Sequence, residues 1–466
     1  MKKYIRTVVP FMFALLFAFL SACQSEDVPE PQEPSDKLVV YSNALNNRIL
    51  SLAIDIFAEK YPEVEIEHRV FEEREGYEGY IEYQEKLRTE IIVGSGPDLI
   101  LSKSSDFMYG IYQSSDFQDI YKTMGTGVFV DLNIYIESDV EFDLAQYNEK
   151  VLDCGIYNGK RYIMPISYTL PVVFAAKEIL DEENINYDIG TYDGFMKAVA
   201  NYCDKYDADP EKNVFKALEY DFPDSTLFFS WSGIDLVDYK SNKVALDDPR
   251  LRDVVDLLKR VYGEKHTQNL ITINNFLKDM LKNKMLLFYL RPQASILLNF
   301  TADCGNFADF TPVCFNYPNV DNGATASVDL FASIPSSSKN QVNAYNLLKI
   351  LLSDEVQGFS YNFSVEGNTT YYEFVYTNLP VLKSAVRTRL YLHEDDPQSK
   401  HQKKPSEEFI NGYIDVITNV DECKLPMPEP YKEYWKKNMT PYFESTESYE
   451  ECLSKLKNDL EWYLSE

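Results

Sequence analysis

A chain of 466 residues with 74 acidic and 45 basic side chains carries a formal charge of −29, and a surface that acidic repels nucleic acid and anionic headgroups alike. The length allows two or three ordinary domains with a large core. Its four histidines and seven cysteines show none of the close spacings that ligate a metal, so no metal or cofactor is expected.

Residues 1–22 read as an export signal. Lys2, Lys3 and Arg6 form a basic n-region, and Val9 to Leu20 is apolar for about a dozen residues, too short to cross ~30 Å of hydrocarbon as a helix. Leu20-Ser-Ala-Cys23 then matches the bacterial lipoprotein box, in which the cysteine is diacylated and becomes the new N-terminus. Cys23 is therefore the expected lipidation site, anchored stably by two acyl chains at the extracellular face of the cell membrane. Removal of three cations takes the formal charge from −29 to −32. Residues 23–37 are the lipidated cysteine and a tether rich in Pro, Glu, Ser and Asp, which cannot bury enough surface to offset its ordering entropy.

Leu38 to Tyr41 is a short apolar strand. Asn43 is placed to cap a helix with Leu45, Ile49, Leu52 and Ile56 on one face, ended by Pro62. Val64, Ile66, His68 and Val70 alternate with charged residues as in a half-buried strand, and a helix from about Tyr80 to Val93 runs into Gly94-Ser-Gly-Pro-Asp-Leu-Ile-Leu101. This order predicts a parallel sheet with right-handed crossovers. A phosphate loop is excluded, because the glycines precede a strand and no Gly-Lys-Ser/Thr follows. Ligands of open α/β sheets sit beyond the carboxyl ends of the strands, which makes Asn43, Ser102 and Asp106 candidate contacts. Helix capping accounts equally well for Asp106, and would by itself explain Asn43.

From Asn158 to Lys177 a tight Asn-Gly turn is followed by two extended apolar segments, broken by Pro165 and Pro171, with Tyr168 between them. Such a strand leaves one sheet and enters another. The stretch resembles the hinge crossing, "dGkxYglPysxxxpvlxyNK"-like, of the extracellular solute-binding proteins of family 1, the sugar-binding proteins of bacterial ABC importers. Gly94 to Leu101 is similar to that family's "G-x-x-P-D-hydrophobic" turn, and Thr191-Tyr-Asp-Gly-Phe-Met-Lys-Ala to its "T-W-x-E-F-xx-A" helix start.

Phe222 to Gly233 gathers Phe228, Phe229 and Trp231 beside Ser230 and Ser232. Flat aromatic faces among hydroxyls suit a sugar ring, and they suit a core as well; Phe228 and Phe229 are assigned to the core and Trp231 stays open between the two. Asp248-Pro249 opens a helix with Leu251, Val254, Val255, Leu258 and Val261 as its stripe. A helix from about Asn275 leads into the apolar strand Met285 to Leu290, similar to the family's return strand, although Asn283 stands where glycine is usual. Arg291, at its end, either reaches the cleft or pairs with a surface carboxylate.

Phe331-Ala-Ser-Ile-Pro-Ser-Ser-Ser-Lys-Asn-Gln341 with Ala344 to Gln357 is the most specific similarity, to the family's "xxxaIxxxSKNKxxAxxFlkfLlSxExQ" block. Trp435 either lines the cleft or packs a helix. A Ser448-x-x-Glu451 capping box opens the last helix, with Leu453, Leu456, Leu460 and Leu464 on one side. Cysteines beyond Cys23 number six, which permits fifteen disulfide connectivities; Cys304 and Cys314 either bridge a loop or sit as free apolar residues.

The resemblance covers most of the mature chain and implies the fold class: α/β, periplasmic-binding-protein-like, two α/β lobes with central sheets joined by hinge strands around a ligand cleft. Residues 38–163 and 289–338 are expected in lobe 1, and 164–288 and 339–466 in lobe 2. It further implies a monomer that captures a small-molecule ligand, a sugar by expectation, by lobe closure, and delivers it to an ABC permease. Asn43, Ser102, Asp106, Tyr168, Trp231, Arg291 and Trp435 are the expected ligand contacts. A hydrolase finds no Gly-x-Ser-x-Gly, Ser-x-x-Lys or zincin motif, and among 74 carboxylates a tempting pair carries no weight. A binder of peptides or polyamines, or a surface adhesin that keeps the fold, remains as an alternative.

Overall fold

The computed structural model describes residues 36–43, 47–71, 76–103, 115–206, 216–220, 225–262, 281–284, 286–291, 305, 307, 309–359, 361–366, 369–374, 378–390 and 405–465. The chain begins β1 (Lys37–Asn43), α1 (Asn47–Lys60), β2 (Glu65–Phe71), α2 (Gly76–Ile92) and β3 (Leu99–Lys103). The three strands are parallel, with Val40 opposite both His68 and Leu99. Asn43 ends β1 opposite Phe71, and the buried residues of α1 are Ile49, Leu50, Ala53 and Phe57, with Leu52 and Ile56 partly buried beside them. In the Pro-Asp turn, the Asp98 carboxylate accepts from Val39 N–H at 2.8 Å and from the Ser338 hydroxyl at 2.6 Å, tying β1 to a segment that returns 240 residues later.

Next come α3 (Ile120–Gly125), capped by Asp119, and a hairpin whose Asn158 and Gly159 have φ of 51° and 80°, the left-handed pair that an Asn-Gly turn adopts readily. Two wholly buried strands follow, β4 (Ile163–Thr169) and β5 (Val172–Ala176). The chain continues through α4 (Tyr192–Tyr206), β6 (Lys216–Tyr220), α5 (Ser225–Trp231), α6 (Leu251–Tyr262), β7 (Leu286–Arg291), β8 (Pro312–Asn316) and β9 (Thr325–Ser333). It ends with α7 (Gln341–Leu351), β10 (Leu379–Pro380), α8 (Glu407–Thr418), β11 (Glu422–Lys424), α9 (Glu429–Phe443) and α10 (Tyr449–Ser465). Thr191 caps α4 by accepting from Gly194 N–H, and Ser448 and Glu451 exchange the two bonds of a capping box at α10.

Two sheets result. The first has the order β10-β4-β9-β3-β1-β2, with β11 added along the leading half of β9; the second has the order β8-β5-β7-β6. The sheets draw strands from several of the expected segments: β7, which spans the 288/289 boundary, and β8 pair with β5 in the second sheet, and β9 joins the first. The reason is local to β5, which is buried throughout and takes an apolar strand on each side. Conversely, β10 and β11, from the segment expected in lobe 2, add to the first sheet.

The sheets are joined by two strands lying side by side. One runs β4 to β5 through Leu170-Pro171, the other β8 to β9. Thr169 pairs with Ser327, Tyr317 N–H donates to Pro171 O at 3.1 Å, and Val172 pairs with Asn316, so the two links are fastened to each other across the crossing. Among the described residues no helix is long and apolar enough to cross a membrane.

Candidate functional site

Beside this crossing a small pocket draws its walls from segments far apart in the chain. Tyr121 comes from α3, Phe229 and Ser230 from α5, Asp235 and Tyr239 from the segment after α5, and Lys424 from β11. The rings of Tyr121 and Tyr239 stack at 3.7 Å with 11° between their planes, and Tyr431 of α9 flanks Tyr239 at 6.0 Å. Burial raises both the Tyr121 and the Tyr239 phenol well above the ordinary range, so they are neutral hydrogen-bond donors at any physiological pH. The cavity is about 30 Å³, the space of one water rather than of a solute.

A polar chain leads to the pocket's Lys424 and Asp235. Asn319 donates to the Thr325 hydroxyl at 2.9 Å, which donates to Glu422 at 3.2 Å; Lys424 lies 3.5 Å from Glu422 and donates to Asp235 at 2.8 Å and to Gly233 O at 3.0 Å. Burial raises the Glu422 carboxyl, with Asp235 adding to the effect and Lys424 opposing it. Residues from the β8–β9 link and from β11 are thus coupled to the segment after α5. The pocket offers aromatic faces together with a carboxylate, an ammonium and a hydroxyl, a lining whose chemistry suits a neutral polar solute. Among the described residues no group of three His, Cys, Asp or Glu side chains is placed to hold a metal.

The residues expected from sequence are dispersed. Ser102 is fully buried at the end of β3, opposite Phe331, and its hydroxyl has no hydrogen-bond partner among the described residues. Arg291 ends β7 opposite Val172, at the crossing, with its guanidinium 5.2 Å from the Tyr289 ring. Tyr168 is 1% exposed and donates to Ile417 O at 2.9 Å, pinning α8 to the first sheet. Trp231 is 3% exposed and meets Tyr317 edge-on, and Trp435 is fully buried with its ring 4.5 Å from Phe229. These three aromatic residues are core in this conformation. Asn43 ends β1, while Asp106 and Cys23 lie outside the described residues, as does Cys304. Tyr121, Tyr239 and Lys424 carry no motif; the sole sequence signal is their type.

Two α/β lobes whose sheets exchange strands through a paired link, with a pocket beside that link, define the periplasmic-binding-protein-like class. The model of the bacterial extracellular solute-binding proteins matches residues 53–365, and the chain belongs to that family. Solved structures agree in fold. The sugar-binding protein MalE from Xanthomonas citri is 12% identical with a TM-score of 0.61, over 92% of this chain and 97% of that one. A cyclo/maltodextrin-binding protein complexed with maltotetraose is 14% identical with a TM-score of 0.55, over 94% and 99%. An ABC substrate-binding protein from Listeria monocytogenes in complex with cycloalternan is 14% identical with a TM-score of 0.52, over 92% and 99%. No curated protein matches in sequence.

Proposed function

We propose that this protein is a lipid-anchored, monomeric receptor that captures a carbohydrate between its lobes and presents it to an ABC permease, without chemistry on the ligand. The observation that carries the proposal is the pocket beside the paired crossing, where the Tyr121 and Tyr239 rings meet the Lys424–Asp235 pair. The ligand names of the structural neighbours support the sugar class. A solute-sized site spans several hundred Å³, so the water-sized cavity must widen by lobe motion before a sugar enters. Closure then follows from differential affinity: the ligand shifts the population only by binding the closed form better than the open one. The lobes are centred on the two sheets, with the change-overs at Leu170-Pro171 and between β8 and β9.

The test is a thermal-shift screen of the chain from Lys37 onward against mono- and oligosaccharides, peptides and polyamines. A ligand at about a hundred times its dissociation constant adds roughly 2.7 kcal/mol and raises the melting temperature. A response confined to one glycan class supports the proposal; a response confined to peptides or polyamines overturns the substrate class, and silence throughout favours an adhesin. Tyr239→Ala is expected to weaken binding of the responding glycan about 10-fold or more, equivalent to ~1.4 kcal/mol or above, measured by calorimetry.

A further inference from the structure

Helix α3 is too short to hold its own place. At six residues it lies well below the length at which a helix persists in water by itself, so its position is set by what grips it. Ile120 and Met124 bury one face, and the helical repeat puts Lys122 on the opposite side, with Tyr121 between. The far end of the chain grips that opposite side. Tyr463, in the last turn of α10, donates its hydroxyl to Asp119 at 3.2 Å, while the Lys122 ammonium donates to Tyr463 O at 3.0 Å and lies 3.7 Å from the centre of the Tyr463 ring. The other Asp119 oxygen caps α3 by accepting from Lys122 N–H at 3.0 Å, and Gln118 O accepts from Glu429 N–H at the start of α9. Aromatic contacts complete a circuit. Tyr463 meets Tyr431 edge-on at 5.2 Å, Tyr431 lies 6.0 Å from Tyr239, and Tyr239 stacks on Tyr121, which returns the path to α3. Helices α9 and α10 are themselves fastened to α5 and α6, through Trp435 on Phe229 and the Arg252–Glu450 pair at 2.8 Å.

We propose that Tyr463 is a positioning residue for the pocket: by clasping Asp119 and Lys122 it fixes how α3 presents the Tyr121 ring to Tyr239. Its bearing on solute capture rests on the function proposed for that pocket. None of Asp119, Lys122 and Tyr463 lines the pocket, so the end of α10 reaches the site without touching it. Ile120 and Met124 hold α3 against the core but leave rotation about the helix axis open, and the clasp on the opposite side removes that freedom. A motion that parts Tyr121 from Tyr239 must also release Tyr463 from α3 or drag the end of α10 with it.

The experiment is native nitration of the full mature chain with tetranitromethane at mildly alkaline pH, without solute, read tyrosine by tyrosine by mass spectrometry. The reagent attacks phenolates, and burial holds the Tyr121 phenol well above its ordinary range, so release of the ring raises both access and ionisation. Lys122→Met and Tyr463→Phe leave the rings of the circuit in place and remove polar contacts of the clasp. Each is expected to speed nitration of Tyr121 roughly 5-fold, the factor carried by one lost hydrogen bond, with the stacked pair Tyr135 and Tyr345 unchanged. Lys122→Arg, which keeps a donor and a cation at the Tyr463 ring, restores the wild-type rate. An unchanged rate at Tyr121 in either variant overturns the proposal. So does faster nitration of Tyr135 and Tyr345 in step with Tyr121, which marks general loosening, and so does failure of Lys122→Arg to restore protection. No solute is present, so these outcomes are separate from silence in the thermal-shift screen, which bears on the function of the pocket instead.

Discussion

Lys432 of α9 is a buried charge. Its side chain is 8% exposed, and burial, aided by Lys436, pushes its pKa from the ordinary 10.5 down to about 7, although the Glu429 carboxylate lies 3.5 Å away. The unfolded chain keeps this proton up to about pH 10.5 and the folded chain only up to about 7. Between those values folding releases a proton, so this group makes stability rise with pH through the window; below it the cost of burying the charge is felt in full. Lys432→Met is expected to raise the melting temperature at pH 6, by an amount on the order of a few kcal/mol in stability, and to flatten the rise toward pH 10. A parallel pair of thermal scans at the two pH values decides it. Trp231, attractive as a sugar platform in sequence, is enclosed against Tyr317. Trp231→Ala is expected to cost about 3–5 kcal/mol in denaturant unfolding, the value for an emptied aromatic core site. A loss of affinity with little loss of stability would instead return it to the ligand. Aromatic residues among serines look alike in a core and in a cleft, which is why residue type alone could not separate Trp231 and Trp435 from Tyr121 and Tyr239.

At the scale of elements, local signals were legible and partner choice was not. The Asn158-Gly159 turn, the Thr191 cap and the Ser448-Glu451 box each depend on residues a few positions apart, and each folds as its sequence predicts. Met285 to Leu290 reads as a strand for the same reason. Which sheet it joins depends on β5, more than a hundred residues earlier, and apolar strands carry no address. One close approach was equally hidden. A Cβ on Gly155 would come within 1.9 Å of Ile163 O, where β4 begins, so Gly155→Ala must displace the turn or the strand. The expected cost is about 2 kcal/mol or more, read as a lower denaturant midpoint at unchanged slope. The pocket is the extreme case: its residues run from Tyr121 to Met427 and meet only because α3, α5 and β11 converge with the segments after α5 and β11.

For the whole molecule, the family and the two-lobed architecture were legible because the hinge stretch and the Phe331–Gln357 block are long and ordered along the chain, whereas the pairing of β7 and β8 with β5 was not. The proposed lipid anchor at Cys23 bears on the same scale, since it would set where the lobes work. Cys23→Ala is expected to move the protein from the membrane fraction to the soluble fraction after cell lysis, and retention in the membrane would refute acylation at that residue. The paired crossing has a mechanical consequence. Two strands bonded to each other behave as a narrow ribbon: compliant to flexing across its face, stiff to shear and to in-plane bending because the Tyr317–Pro171 bond and its neighbouring pairs would have to slide. On the proposed function, such a ribbon would favour an opening and closing motion over sliding, and solutes of different chemistry that close the lobes equally far would be indistinguishable to the permease.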